Sequence, residues 1–295
     1  MKRIPFIALA LAGLIAASCS IKEDRIACTA PVTVHVDDYS INVDSFPDTK
    51  ATNPNSYSTV KALTLAFFDA GTGEKIYFKT HYKPSQGSDP NFGTFSCNLP
   101  FGSFTMVVLG YDFYDGDVLE LSSPTAAAFT SDKTRETFAH TQSVTISSVD
   151  PVNLDATLNR IVTRLTLSST DGRSAAASNL RISLEKGAKA FNPTSGFATS
   201  NGGFSTTLSI PVNEGQTSKS TVFAFLAQET ETMDVTIDVL NEGGEVIQTH
   251  NVTDVPFQIN RVTNLTGPVY SSPTPSSATF LLNTDFVGEN LLVNF

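Results

Sequence analysis

The side chains that could perform catalysis or bind a metal are scattered along this sequence. Its four histidines lie in four separate segments, at His35, His81, His140 and His250. No HExxH zinc motif, GxSxG nucleophile motif or glycine-rich phosphate loop is present. Asp112, Asp115 and Asp117 could ligate calcium, but they lack the spacing and the terminal glutamate of an EF-hand loop. We interpret them as turn residues, and the sequence predicts no enzyme, no metal site and no dissociable cofactor.

Cys19 is the residue with the clearest chemical role. After a basic start, an apolar run covers residues 4–17, which is shorter than the roughly 20 residues of a membrane-spanning helix. Small residues then lead directly to the cysteine, in a pattern that resembles a bacterial lipobox with Ala16 in place of the usual leucine. We therefore predict a signal peptide over 1–18 and a lipid, such as palmitate, on the Cys19 thiol. The alternative is an ordinary cleaved signal with an incidental cysteine.

A charged cluster follows the predicted lipid site. Lys22, Glu23 and Asp24 lie within five residues of Cys19. A lysine followed by two acids resembles the export signal of Bacteroidetes lipoproteins that cross the outer membrane to the cell surface. This resemblance implies that residues 19–27 are a lipidated tether on the cell surface. The alternative is a plain tether, in which the charges keep the chain in water next to the membrane.

The composition limits the class of partner. The formal net charge is −10, and it becomes −12 when the two cations of residues 1–18 are removed. Nucleic-acid binding depends on Lys and Arg at the phosphates, so we predict no nucleic-acid partner. Hydrophobic residues make up 40% of the chain and charged residues 16%, which is sufficient for sizeable cores.

Alternating strand patterns cover most of the mature chain, and turn residues separate them. Residues 32–36 (VTVHV) alternate with a period of two, while 62–69 and 75–82 flank the turn AGTG as a hairpin. Asp150-Pro151 breaks the pattern, which then restarts at 156–169. Many short strands with regular turns predict an all-β chain of two tandem antiparallel β-sandwiches. We place the first at 28–149 and the second at 150–270.

Two further cysteines, Cys28 and Cys97, remain after lipidation. An even pair in an oxidising compartment indicates a disulfide that would attach the first strand to its sheet. The sequence does not establish that the two side chains approach each other. The alternative is a pair of buried free thiols, and two cysteines without companion histidines make a poor metal site.

The C-terminal segment 271–295 begins with a Ser/Pro linker over 271–277 and continues with an apolar tail over 278–295. The tail alternates in two groups that a turn at 288–290 separates, with apolar side chains at Phe280, Leu282, Phe286, Leu291, Val293 and Phe295. We predict a hairpin or two linked strands that something must bury. The tail either completes the second sandwich of its own chain or is donated to a sheet edge of a neighbouring subunit.

Three segments resemble one family of surface proteins. The N-terminal CSIKEDRIAC (19–28) resembles the start of the FimB-type fimbrial anchor family, which belongs to the fimbrillin-like pilus subunits of Bacteroidetes. The segment 158–169 (LNRIVTRLTLSS) is similar to the Arg-rich strand that opens their second domain, and 255–270 (VPFQINRVTNLTGPVY) is similar to their late Asn-Arg segment. The resemblance covers most of the mature chain and implies transthyretin-like sandwiches.

The resemblance also implies a structural function. Such subunits assemble into a surface fimbria by β-strand complementation, in which backbone hydrogen bonds supply affinity and alternate side chains supply specificity. The expected partners are other fimbrial subunits, together with the outer membrane through the lipid. Proteolysis after Arg25 or Lys50 would mark a stalk or tip subunit. We expect no cut, because a base subunit needs its lipid, and we predict that this chain is the lipid-anchored base subunit. The alternative is a surface lipoprotein that binds a glycan or host ligand. Glycan binders usually present clustered Trp or Tyr for stacking on sugars, but this chain has no Trp and its seven Tyr are dispersed, so we favour this alternative less.

Overall fold

The computed structural model describes residues 28–40, 59–83, 91–114, 118–271, 281–286 and 289–293. The strands of its first half are β1 (Thr29–Ser40), β2 (Ala62–Asp69), β3 (Lys75–Tyr82), β4 (Thr94–Pro100), β5 (Gly102–Tyr111), β6 (Leu119–Ser123), β7 (Ala126–Phe129), β8 (Thr137–Ile146) and β9 (Val152–Arg160). Those of its second half are β10 (Thr163–Ser169), β11 (Asn179–Leu184), β12 (Ala190–Phe191), β13 (Phe204–Ser209), β14 (Lys219–Ala224), β15 (Thr230–Leu240), β16 (Val246–Gln258), β17 (Val262–Gly267), β18 (Leu281–Phe286) and β19 (Glu289–Val293). In these ranges no helix is long and apolar enough to cross a membrane.

The first sandwich is a seven-stranded sheet that closes on itself. Its strand order is β3-β2-β5-β8-β9-β1-β4. Strands β8 and β9 pair through two residues each, so the sheet divides there into two layers. The His81 ring of β3 stacks on Phe95 of β4 with 4.1 Å between the ring centroids, although these strands stand at opposite ends of the order. Side chains from both layers therefore enclose one core.

The second sandwich consists of two separate sheets. One has the order β14-β10-β17-β18-β19 and the other has the order β13-β11-β15-β16. Alternate side chains of each sheet point toward the other, as in Leu165 and Leu167 of β10 and Ile182 of β11, which are at most 2% exposed. These residues belong to one continuous apolar cluster, and the period-two alternation of the sequence places them on the inner faces.

A third apolar cluster joins the two sandwiches. The small sheet β12-β7-β6 covers the outer face of β2 and β5. Phe191 of β12 stacks on Phe225, just after β14, with 4.2 Å between their centroids, and Phe129 of β7 lies 6.4 Å from Phe225. Both halves of the chain therefore contribute to a packed joint.

The all-β fold with two β-sandwiches is confirmed, but the expected boundary at residue 150 differs from the structure. Strand β9 pairs in parallel with β1, from Val32 opposite Val152 onward, so residues 152–160 belong to the first sandwich. The continuous strand predicted over 156–169 is divided at Ile161 and Val162, which are buried in the joint between the sandwiches. The apolar run continues through this point because the joint, like the strands, buries its residues.

Candidate strand-pairing sites

Strand β1 is inserted between two others in the first sandwich. It pairs antiparallel with β4, where Val32 lies opposite Cys97, and in parallel with β9, where Val34 lies opposite Leu154. The β-branched side chains of this segment favour an extended backbone. Its apolar side chains at Ala30, Val32, Val34 and Val36 are at most 3% exposed. A single short strand therefore completes both a hydrogen-bonded sheet and one side of a core.

The C-terminal tail forms the edge of the second sandwich. Strand β18 pairs antiparallel with β17, with Leu282 opposite Leu265, and β19 folds back on β18, with Leu291 opposite Thr284. Of the six apolar tail residues predicted to pair, four lie in these strands, at Leu282, Phe286, Leu291 and Val293. Phe280 and Phe295 lie outside the described residues. The hairpin contacts the sheet through one ladder, whereas β1 is held by two.

A carboxylate fixes the chain just before the Ser/Pro linker. Asp171 accepts hydrogen bonds from the backbone N–H groups of Val269 at 2.7 Å, Tyr270 at 2.8 Å and Ser271 at 2.7 Å, and from the Ser271 hydroxyl at 2.9 Å. The Tyr270 hydroxyl also lies 2.5 Å from the Ser218 hydroxyl. Burial by itself would raise the pKa of Asp171, but these hydrogen bonds outweigh it and hold the pKa below its usual value of 3.8.

Replacing Asp171 with Asn should loosen this attachment. An amide oxygen accepts fewer hydrogen bonds and carries no charge, so we expect a loss of about 1–2 kcal/mol in the free energy of unfolding at neutral pH. Because the folded-state pKa is depressed, the contribution is complete above about pH 4 and is lost as the pH falls through the folded pKa. Urea unfolding at pH 7 and pH 3 measures both effects. Asp155→Asn, at an exposed position on β9, is the control; an equal loss in both variants would contradict the assignment.

A buried ion pair at the end of the first sandwich is hydrogen-bonded to the second sandwich. Arg160, the last residue of β9, donates from Nε to Glu136 Oε1 at 2.8 Å, and its Nη2 lies 2.7 Å from the same oxygen. Its Nη1 donates to Asn260 Oδ1 at 2.8 Å. Thr59 donates to the second oxygen of Glu136 at 2.5 Å. Arg160 and Glu136 are 3% and 5% exposed.

The hydrogen bond between Arg160 and Asn260 joins two of the segments that carried the family resemblance. Arg160 comes from 158–169 and Asn260 from 255–270. Asn260 adopts a positive φ of 59°, which asparagine tolerates better than most residues. Sequence reasoning missed Glu136 and gave neither Arg160 nor Asn260 a role. An arginine inside an otherwise apolar strand pattern was the available signal, because a buried guanidinium requires a partner.

The expected disulfide is not formed in the structure, where Cys28 and Cys97 are both free. Cys97 lies opposite Val32 in the ladder, whereas the Cys28 carbonyl accepts a hydrogen bond from the Phe101 N–H. The cysteines are thus offset by four residues along the strands, or roughly 13 Å at about 3.3 Å per residue. A disulfide requires Cα atoms within about 7 Å. Burial raises the pKa of the Cys97 thiol to about 11, so this thiol is unreactive at neutral pH.

The predicted lipidation, export and protease residues lie outside the described part of the chain. These are Cys19, Lys22, Glu23, Asp24, Arg25 and Lys50. Among the residues that the structure does describe, no three His, Cys, Asp or Glu side chains are grouped to hold a metal ion. Asp112 forms an ion pair with Lys61 at 2.9 Å, while Asp115 and Asp117 are outside the described residues.

Comparisons with known proteins identify a matching family model and several similar folds. The sequence model of a family of unknown function (DUF6562) matches residues 111–290. Two crystal structures of candidate adhesins from Bacteroides ovatus each superpose with a TM-score of 0.50; one has 11% identity and covers 90% of this chain and 96% of that chain. The other, from strain ATCC 8483, has 10% identity and covers 78% and 84%.

The fimbrial anchor protein Mfa2 from Porphyromonas gingivalis has 13% identity, a TM-score of 0.48 and coverage of 90% and 99%. A search of curated proteins finds no match. At these identities the likeness concerns the fold.

Proposed function

The chain belongs to the family of unknown function DUF6562, and from its fold we propose that it is a structural subunit of a cell-surface fimbria that assembles by β-strand complementation. The observation that carries the proposal is β1, a strand with buried alternate side chains between β4 and β9. Strand complementation requires a strand of this kind, because a donated strand must supply both backbone hydrogen bonds and core side chains. The description of two similar folds as candidate adhesins supports a role at the cell surface.

The edge hairpin β18–β19 is the complementary unit in this proposal. It pairs with the remainder of its own chain through one ladder, at β17, and follows a Ser/Pro segment that gives it reach. Seven extended residues at about 3.1 Å each span roughly 20 Å, which is enough to reach an adjoining subunit. Asp171 would keep the start of the linker on the second sandwich while the tail moves.

The base of the fimbria is the position that we propose for this subunit. A lipid on Cys19 would anchor the chain in the outer membrane, and Lys22, Glu23 and Asp24 would direct it to the outer face. A base subunit keeps its lipid, so Arg25 and Lys50 would remain uncut. The β1 strand would then stay in its own sandwich, and the hairpin β18–β19 would be the unit that pairs with the next subunit. The role is non-catalytic: assembly depends on strand pairing, which needs no reactive side chain.

Mass spectrometry of the mature chain from surface membranes of the producing cells tests this position. We expect an acylated Cys19 at the N-terminus and an uninterrupted chain through Lys50, and we expect Cys19→Ala to move the protein out of the membrane fraction. A mature N-terminus at Ile26 or Ala51 would instead identify a stalk or tip subunit. A Cys19→Ala variant that stays in the membrane fraction would contradict the lipid anchor.

A further inference from the structure

A small cleft with an unusual lining opens beside the joint of the two sandwiches. It encloses about 190 Å³. The segments after β5 and before β8 form one side, and β13 and β14 of the second sandwich form the other. Its polar lining includes Asp112, Tyr114, Lys133, Arg135 and Thr206, and its apolar wall consists of Leu208, Val222 and Phe223. Neither β1 nor the C-terminal hairpin contributes to it, so the strand-pairing function does not account for this cleft.

Cationic side chains gather around the cleft although the chain as a whole carries a net charge of −10. Lys133 and Arg135 line it directly. Lys61 lies 3.9 Å and Arg135 4.5 Å from the centroid of the Tyr114 ring, as cation–π pairs do.

Two carboxylates among the described residues lie at the cleft or next to its lining. Asp112 is paired with Lys61 at 2.9 Å and also attracts Arg135, and Asp132 accepts a hydrogen bond from the Thr207 N–H at 3.3 Å. The three cations Lys61, Lys133 and Arg135 outnumber these two carboxylates, so the local field favours an anion.

One buried hydroxyl in the lining lacks a hydrogen-bond partner. Thr206, in the middle of β13, is 3% exposed, and its Oγ1 has no partner among the described residues. An unsatisfied buried hydroxyl is costly, and native structures retain few of them. The neighbouring Thr134 hydroxyl, by contrast, donates to the Phe223 carbonyl. A ligand that reached the floor of the cleft could satisfy Thr206.

We propose that this cleft binds one carboxylate-bearing monosaccharide unit of an acidic saccharide. The volume is below the roughly 300–1,000 Å³ of sites for drug-sized ligands, so it suits a single unit rather than a chain. Lys133 and Arg135 would hold the carboxylate, Thr206 would bond a sugar hydroxyl, and Leu208 and Phe223 would pack on the C–H face of the ring. A sugar acid offers a carboxylate, a hydroxyl and an apolar ring face, whereas an acidic peptide side chain offers only the carboxylate. We therefore favour a sugar.

Calorimetric titration of the full mature chain with glucuronate, and with glucose as a neutral control, tests the proposal. We expect heat from glucuronate binding and none from glucose. Lys133→Gln should weaken glucuronate binding about tenfold, because it removes a charge-assisted contact. Lys79→Gln, at an exposed position on β3 outside the cleft, should leave binding unchanged.

Thr206→Val separates ligand binding from folding. Because the substitution removes an unpaired hydroxyl and keeps the shape of the side chain, the thermal midpoint should stay the same or rise. Binding of glucuronate should nevertheless weaken about threefold.

Several outcomes would overturn the proposal. These are equal binding of glucose and glucuronate, affinities that Thr206→Val and Lys133→Gln both leave unchanged, or binding of triglutamate in place of glucuronate. Failure of the sugar site would leave the fimbrial proposal untouched, because that proposal rests on β1 and the N-terminal lipid.

Discussion

A chain that begins at residue 41 should fail to complete its first sandwich, and a synthetic peptide of residues 28–40 should restore it. The peptide contains the four apolar side chains of β1 that are at most 3% exposed. Burying a valine contributes about 1.5–3 kcal/mol, so the three valines alone contribute roughly 5 kcal/mol or more. Since whole domains are stable by about 5–15 kcal/mol, this loss is large enough to unfold the first sandwich.

Thermal unfolding followed by circular dichroism, with and without added peptide, measures the effect. The peptide should raise the midpoint in a concentration-dependent way, because a ligand of the folded state stabilises by mass action. A control peptide carrying Val34→Asp should fail, since it would place a charge at a position that is 0% exposed. A shortened chain that melts like the full one, or that does not respond to the peptide, would contradict the assignment of β1 as a strand that completes the first sandwich and can be supplied by a separate chain.

The same shortened chain tests donation of the tail. If the tail of a neighbouring subunit occupies the site of β1, a peptide of residues 278–295 should also raise the midpoint. Rescue by 28–40 alone would restrict the tail to the edge of β17, where the structure places its hairpin.

Arg160→Met should destabilise the protein by about 3–5 kcal/mol, because it leaves the Glu136 carboxylate buried without its cation. Glu136 is 5% exposed, and its Oε1 lies 2.7 Å from Arg160 Nη2. For a chain of this size the loss corresponds to a fall of roughly 10 °C in the melting midpoint. The double variant Arg160→Met/Glu136→Leu should recover part of the loss, since neither buried charge then remains.

The matched control for this ion pair is Arg181→Met on β11. Arg181 bonds Asp238 at 2.6 Å, with side-chain exposures of 40% for Arg181 and 9% for Asp238. Water can take the place of the exposed guanidinium, and the Thr249 hydroxyl still donates to Asp238 at 2.7 Å, so the loss should be about 1–2 kcal/mol and smaller than at Arg160. Equal losses at Arg160 and Arg181 would contradict a special role for the buried pair. A double variant no more stable than Arg160→Met would show that packing around the guanidinium, rather than its charge, stabilises the joint.

The all-β, two-sandwich fold was predictable because strand formation depends on local sequence patterns. Alternating residues such as those of 32–36 identify which side chains face a core, since successive side chains of a strand point to opposite faces. Turn residues between the strands limit their lengths. The division of the mature chain into two sandwiches followed from the restart of this pattern after Asp150-Pro151, although its position was wrong.

The choice of strand partners required the tertiary structure. Alternation shows that Val32 and Val34 are buried, but it does not reveal that β1 lies between β4 and a strand more than a hundred residues away. That pairing moved the domain boundary past Arg160 and offset Cys28 from Cys97, which removed the expected bridge. Strand pairing depends on how the whole sheet closes, and the distance between two strands along the sequence does not predict whether they become neighbours.

The candidate sites divide along the same line. The sequence alone was sufficient to predict the features that depend on a short contiguous segment: a lipid site at Cys19, an export signal in the charged cluster after it and strand pairing by the apolar tail. The tertiary structure decided the features that depend on distant residues: the Arg160–Glu136–Asn260 joint, the four hydrogen bonds of Asp171 and the cleft around Thr206. The physical reason is that a polar side chain acquires its role from its partners, and those partners come together only when the sandwiches close and pack.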